Sequence, residues 1–100
     1  MTTPQKSKWY CKYKIAHRGL HNKEFPENSL GAFENACNLG FAIELDVHAL
    51  ADGTVAVFHD QNTLRMCGID RDIGLLTLDD LPKFKLLNSK YTIPTLAEVL

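Results

Sequence analysis

A chain of 100 residues with a formal net charge of −1 holds no more than one small domain, and it offers no global field to draw it onto nucleic acid or an anionic membrane. Its apolar fraction of 45% and charged fraction of 23% are those of an ordinary soluble globular chain, and no apolar run approaches the ~18 residues of a membrane span. The basic, polar start MTTPQKSKWYCKYK lacks the apolar core of a secretory signal, and the cysteines at 11, 37 and 67 include no CxxC pair, so free thiols in a reducing, cytoplasmic setting are expected.

Residues 1–8 read as a disordered lead and 9–100 as the ordered part. Alternation of Tyr13 and Ile15 with Lys12 and Lys14 predicts a first strand over Lys12 to His17, with Trp9 and Tyr10 as packing aromatics. RGLHNKEF (18–25) reads as a loop. PENSLGAFENACNLG (26–40) predicts a helix: Pro26 suits its first turn, Glu27 its positive end, and Gly40 its stop. Leu30, Phe33, Ala36 and Cys37 recur at helical spacing, widened by Ala32 and Leu39.

FAIELDV (41–47) and TVAVFHD (54–60) predict two more strands, joined through the Asp52-Gly53 turn signal. QNTLRMCGIDRDIG (61–74) reads as a long polar loop. Thr77 with Asp80 opens a predicted helix over 77–87, with Pro82 in its first turns, and Thr95 with Glu98 opens another at 93–100. A capping box followed by so few residues, and single layers without a partner to complete a core, suggest the front part of a longer domain.

Side chains alternate along a strand, so Glu44 and Asp46 share one face, while Ile43, Leu45 and Val47 share the face expected to pack on a helix. Two partly buried like charges cost several kcal/mol per ion unless something compensates them. A divalent cation does so, and an all-oxygen donor pair suits hard ions, Mg²⁺ or Ca²⁺. The alternative is an exposed edge strand whose carboxylates meet lysine or water.

The twelve residues between Asp46 and His59 are too few for a crossover helix but enough to run down a strand, turn at Asp52-Gly53 and return. His59 therefore arrives at the rim where Asp46 sits. His17 also closes a strand, followed by Arg18, a fork of donors suited to phosphate, and by Gly19, which permits a sharp turn. Three strands thus each deliver ionisable groups to one end. Strand–helix–strand order with such residues at strand C-termini is the arrangement expected of an α/β barrel. The fitting chemistry is phosphoester cleavage: a hard cation polarises phosphoryl oxygens, and two histidines divide the proton transfers. His21 and His48 read as solvent-facing loop residues, His48 close enough to touch the rim. Arg65 either contacts phosphate or pairs with Asp60 or Asp70.

HRG (17–19), PENS (26–29), IELDV (43–47), DGTVAVFHD (52–60), the Leu64-Arg65 pair and IPTLAEVL (93–100) together resemble the glycerophosphodiester phosphodiesterases, over residues 13–100. The resemblance implies a TIM-type (β/α)8 barrel related to phosphatidylinositol-specific phospholipase C, of which this chain carries only the first strands and helices. It implies hydrolysis of a small-molecule glycerophosphodiester to an alcohol and sn-glycerol 3-phosphate, using Mg²⁺ or Ca²⁺. His17 and His59 would be the acid–base pair, Arg18 the phosphate ligand, Glu44 and Asp46 metal ligands, and Glu27 and Asn28 supporting groups. A substrate glycerol hydroxyl can attack its own phosphorus, gaining from proximity. The family's third acidic metal ligand and further phosphate contacts would come from strands after residue 100. Two other readings share the same residues: a non-catalytic fragment or scaffold of this fold, and a related barrel acting on lysophospholipid or sphingolipid headgroups.

Overall fold

β1 (Ile15–His17), α1 (Leu30–Asn38) and β2 (Ala42–Glu44) form a strand–helix–strand unit in the computed structural model, which describes residues 14–100. The expected lead at 1–8, Trp9, Tyr10, Cys11 and the first residues of the expected strand, Lys12 and Tyr13, lie outside the described residues. β1 and β2 are parallel, in a register that sets Ile15 beside Ala42 and His17 beside Glu44.

The helix begins four residues later than PENS suggests. Asn28 sits in the left-handed region (φ 54°), off the helical path, and its N–H donates to the Arg18 carbonyl at 2.8 Å. Ser29 is the cap: its Oγ accepts from the Ala32 N–H at 3.1 Å. Glu27 therefore lies outside α1. The buried stripe is Ala32, Phe33 and Ala36, while Leu30, Cys37 and Leu39 are exposed, so the apolar face is narrower than the spacing suggested. Gly40, at φ 74°, ends the helix as expected.

The expected strand 41–47 is two strands. β2 stops at Glu44 because its partner stops: Arg18 (φ 58°) and Gly19 (φ 80°) turn the chain away after His17, and the parallel ladder has nothing more to pair with. After Leu45 and Asp46 the backbone finds a new partner. β3 (Val47–Ala49) runs antiparallel to β4 (Val55–Val57), with Val47 opposite Val57, around the Asp52-Gly53 turn. β4 is shorter than the expected 54–60, yet the Phe58 N–H still donates to the Asp46 carbonyl at 2.9 Å. Val47, expected inside with Ile43 and Leu45, is 48% exposed.

The expected loop 61–74 contains a short helix, α2 (Leu64–Cys67), and a 3₁₀ turn at Ile73–Leu75. The expected helix 77–87 is instead a 3₁₀ turn at Leu78–Lys83, followed by another at Leu86–Asn88. Pro82 removes a donor that an α-helix would use, and the chain closes tighter turns instead. Its opening is as expected: the Thr77 N–H donates to Asp80 Oδ2 at 2.9 Å. α3 (Leu96–Val99) opens on the expected box, with the Thr95 N–H donating to Glu98 Oε1 at 2.9 Å and the Glu98 N–H to Thr95 Oγ1 at 3.2 Å.

The main core lies under the hairpin, where Leu50, Ala56 and Phe58 pack with Met66, Ile73, Leu76, Leu81, Phe84, Leu86 and Ile93. Among the described residues the strands form two two-stranded sheets and no closed barrel. No helix among them is long and apolar enough to cross a membrane.

Gly19 joins the first unit to the site. An added Cβ there would lie 2.9 Å from Ala32 Cβ and 2.9 Å from Phe33 Cδ1, on a backbone that L-residues rarely adopt. Gly19→Ala should therefore lower unfolding free energy by about 1–3 kcal/mol, read from urea denaturation.

Candidate active site

The C-terminal ends of β1 and β2 bring an imidazole to a carboxylate. His17 Nε2 is 3.1 Å from Glu44 Oε1, and both side chains are more than half exposed. The left-handed turn after His17 sends Arg18 inward instead. Its Nη1 donates to Glu27 Oε2 at 3.1 Å, while its Nε stands 3.7 Å from Asp46 Oδ2, too far for a hydrogen bond. That Nε is buried and has no partner. Asn28, 1% exposed, donates from Nδ2 to Asp46 Oδ2 at 3.1 Å, and its own Oδ1 is buried without a partner.

On the other side, His59 Nδ1 is 2.7 Å from Asp60 Oδ1. Arg65, on α2, reaches both acids nearby. Its Nε donates to Asp60 Oδ2 at 2.7 Å and its Nη2 to Asp60 Oδ1 at 3.1 Å. The same guanidinium meets Glu27 through Nη1 to Oε1 at 3.2 Å and Nη2 to Oε2 at 2.9 Å. Hydrogen bonds from Arg65, and then from His59, hold the Asp60 carboxyl well below the usual carboxylate range. At Glu27 burial opposes the charge, but Arg65 and then Arg18 outweigh it and the pKa is lowered.

A continuous series of polar contacts therefore runs from His59 through Asp60, Arg65, Glu27 and Arg18 to Asp46 and Asn28. His17 and Glu44 adjoin it as the chain neighbour of Arg18 and the near neighbour of Asp46. Of the residues singled out in the sequence, Glu27, Arg18, Asp46 and Asn28 are linked in series, His17 pairs with Glu44, and His59 joins through Asp60 and Arg65. Arg65 pairs with Asp60, while Asp70 accepts instead from Asn62 Nδ2 at 2.6 Å. His21 is exposed, as expected. His48 is not a loop residue: it lies in β3 and donates from Nε2 to the His59 carbonyl at 2.8 Å. Missed at the sequence level were the linking roles of Asp60 and Arg65. Burial pushes the Cys67 thiol up to about 11, which makes it a poor nucleophile.

Glu44 and Asp46 supply hard oxygen donors, and the partnerless Asn28 Oδ1 is a further buried oxygen beside Asp46's hydrogen-bond partner, Nδ2. In kind this donor set fits a hard cation. In number it is incomplete: no group of three or more His, Cys, Asp or Glu side chains that could hold a metal gathers among the described residues.

A parallel strand–helix–strand frame that collects charged groups where its strands end defines an α/β protein with a candidate site at the carboxyl rim. The sequence profile of the Glycerophosphoryl diester phosphodiesterase family matches residues 17–100, and the chain belongs to that family. It is 40% identical over 96 residues to a glycerophosphodiester phosphodiesterase of Bacillus altitudinis, covering 86% of this chain and 38% of that protein. It is 41% identical over 71 residues to lysophospholipase D GDPD3 of Homo sapiens, covering 70% of this chain and 22% of that protein. A phosphodiesterase from Oleispira antarctica, solved in complex with the product sn-glycerol-3-phosphate, superposes with a TM-score of 0.78 at 32% identity, over 87% of this chain and 38% of that one. The chain thus spans well under half the length of these relatives.

Asp60 and Glu27 titrate lower when folded than when unfolded. Their contribution to stability is therefore complete above the unfolded carboxylate pKa of about 4 and is lost as pH falls through the depressed folded values. Urea midpoints taken from neutral pH to about pH 2 should hold until about pH 4 and then fall, and Asp60→Asn should make that fall shallower.

Proposed function

We propose that residues 9–100 form the N-terminal part of a TIM-type (β/α)8 phosphodiesterase domain that hydrolyses glycerophosphodiesters to an alcohol and sn-glycerol 3-phosphate. Family membership and the likeness to a product-bound phosphodiesterase support the substrate class. The observation that carries the assignment of residues is the β1–β2 register, which sets His17 beside Glu44 just where Arg18 turns in toward Asp46.

In this reading His17 and His59 share the proton work, one accepting from the attacking hydroxyl and the other donating to the leaving alkoxide. Arg18 binds the phosphate. Its unsatisfied Nε–H is a donor in reserve, and Glu27 anchors the guanidinium through Nη1. Asn28 fixes Asp46 through its Nδ2. A divalent cation, Mg²⁺ or Ca²⁺, held by Glu44 and Asp46, would supply Lewis-acid stabilisation of charge on the phosphoryl oxygens. A glycerol hydroxyl of the substrate, already tethered to the phosphorus, attacks it and expels the alcohol, leaving a cyclic phosphate that water then opens to glycerol 3-phosphate with the two histidines exchanging roles.

The human relative, a lysophospholipase D, favours a second reading in which the same groups act on a lysophospholipid. Release of glycerol 3-phosphate from glycerophosphocholine against release of choline from lysophosphatidylcholine separates the two.

A full-length protein that carries this chain with the rest of the domain should release glycerol 3-phosphate from glycerophosphocholine, lose that activity in chelator and regain it with Mg²⁺ or Ca²⁺. His17→Ala and His59→Ala should each lower kcat by about 10²–10⁴-fold. Full activity in either variant would refute its role in proton transfer, and turnover undiminished by chelator would refute the cation.

A further inference from the structure

Arg65 is the one residue in contact with both halves of the site, and the function proposed above gives it no part. We propose that Arg65 is a positioning residue that orients the His59 imidazole through Asp60 and sets its place relative to Arg18 through Glu27; this rests on His59 being one of the acid–base pair.

The donor inventory of the side chain argues against a second phosphate ligand. A guanidinium has five N–H groups. Here Nε and one Nη2 hydrogen go to the two oxygens of Asp60, and one Nη1 and the other Nη2 hydrogen go to the two oxygens of Glu27. One N–H remains, too few for the bidentate grip that makes arginine a phosphate binder. Binding a phosphate would mean giving up contacts that hold the rim together.

Those contacts act on His59. A carboxylate only accepts, so the 2.7 Å contact from His59 Nδ1 to Asp60 Oδ1 places the proton on Nδ1 and leaves Nε2 as the nitrogen that exchanges with a ligand. Asp60 alone could rotate about its side-chain bonds. With both oxygens taken by Arg65 it cannot, and the imidazole it faces is fixed in tautomer and direction. The main chain adds a second restraint, since the His59 carbonyl is held by His48. Glu27, on the other side, carries the restraint to Arg18 at 3.1 Å. The Arg65 guanidinium thus ties Asp60 to Glu27, which lies 38 residues from Arg65 in sequence.

The test is ¹⁵N NMR of the full chain without substrate, so that it reads the geometry whether or not the protein turns over a diester. In the unmodified chain at neutral pH, His59 should be held as the Nδ1–H tautomer, and rotation of the Arg65 guanidinium should be slow compared with that of the exposed Arg71. In Arg65→Gln, His59 should shift toward the Nε2–H tautomer while the methyl signals of Ile73 and Leu76 stay in place. Arg65→Lys, which keeps the charge but not the fork, should recover the tautomer only in part. Retention of the Nδ1–H form in Arg65→Gln overturns the proposal. If that variant fails to fold, rapid Arg65 rotation in the unmodified chain overturns it and slow rotation supports it. In turnover, Arg65→Gln should lower kcat at least tenfold and leave KM within about twofold. A loss in KM alone would make Arg65 a substrate-binding group and overturn the assignment.

Discussion

Three carboxylates, Glu27, Asp46 and Asp60, are joined through two guanidinium groups, while a fourth, Glu44, lies two residues from Asp46 and pairs with His17. Every other feature of the site follows from how that charge is shared. Arg65 bonds both oxygens of Asp60 and both oxygens of Glu27. Arg18 adds a second bond to Glu27 Oε2 and approaches Asp46 without closing on it. Glu44 is left with an imidazole, a partner that is charged only when protonated. Negative charge therefore remains concentrated on Glu44 and Asp46, which are also the oxygens that a hard cation would take. The pairing pattern is selective: the strong, bidentate contacts lie on the flank, and the weak ones lie where a ligand would have to enter.

The backbone makes this sharing possible. Arg18 and Asn28 both occupy the left-handed region, and the Asn28 N–H bonds the Arg18 carbonyl, so the two turns brace each other. The first throws a guanidinium inward from the end of β1, and the second lifts Glu27 and Asn28 off the helix to face it. Gly19 lets the strand end lie against Ala32 and Phe33 with no room for a side chain. Had PENS continued the helix from Pro26, Glu27 would have had to follow the helical path, away from this bracing turn. The order of events is thus from residue type to backbone conformation, and from backbone conformation to which carboxylate each arginine can reach.

That order also explains what the sequence disclosed. Length arithmetic through Asp52-Gly53 places Asp46 beside the end of β4, and the Phe58 to Asp46 main-chain bond is that adjacency. The caps at Thr77 and Thr95 and the stop at Gly40 were legible because each is a local hydrogen-bonding rule carried by a few residues. The break at Leu45-Asp46 was not legible. FAIELDV ends in alternating apolar and acidic residues without a turn signal, and the ladder ends only because the partner strand turns away at Arg18. The four-residue α2 is too short for any periodicity to appear, so the sequence offered Arg65 as a phosphate contact or a partner of Asp60 or Asp70 without showing that it also reaches Glu27. Alternation likewise misplaced Val47, since a strand that changes partners changes which face is covered.

The two ends of the contact series differ in a way that bears on chemistry. Arg18, Glu27 and Asn28 are largely enclosed and hydrogen-bonded, so the guanidinium proposed to bind the phosphate and its supporting groups sit on restrained side chains. His17 and Glu44 are more than half exposed and hold only each other. A group that must accept and release protons gains from access to solvent and from a partner weak enough to leave, whereas a group that fixes an anion gains from rigidity. His59 lies between these cases, its ring exposed but its Nδ1 engaged by an acid that is itself clamped. Under the proposed mechanism, two histidines so differently restrained would suit unlike proton transfers: the more exposed His17 to exchange readily with solvent, the clamped His59 to present a single nitrogen in a fixed direction.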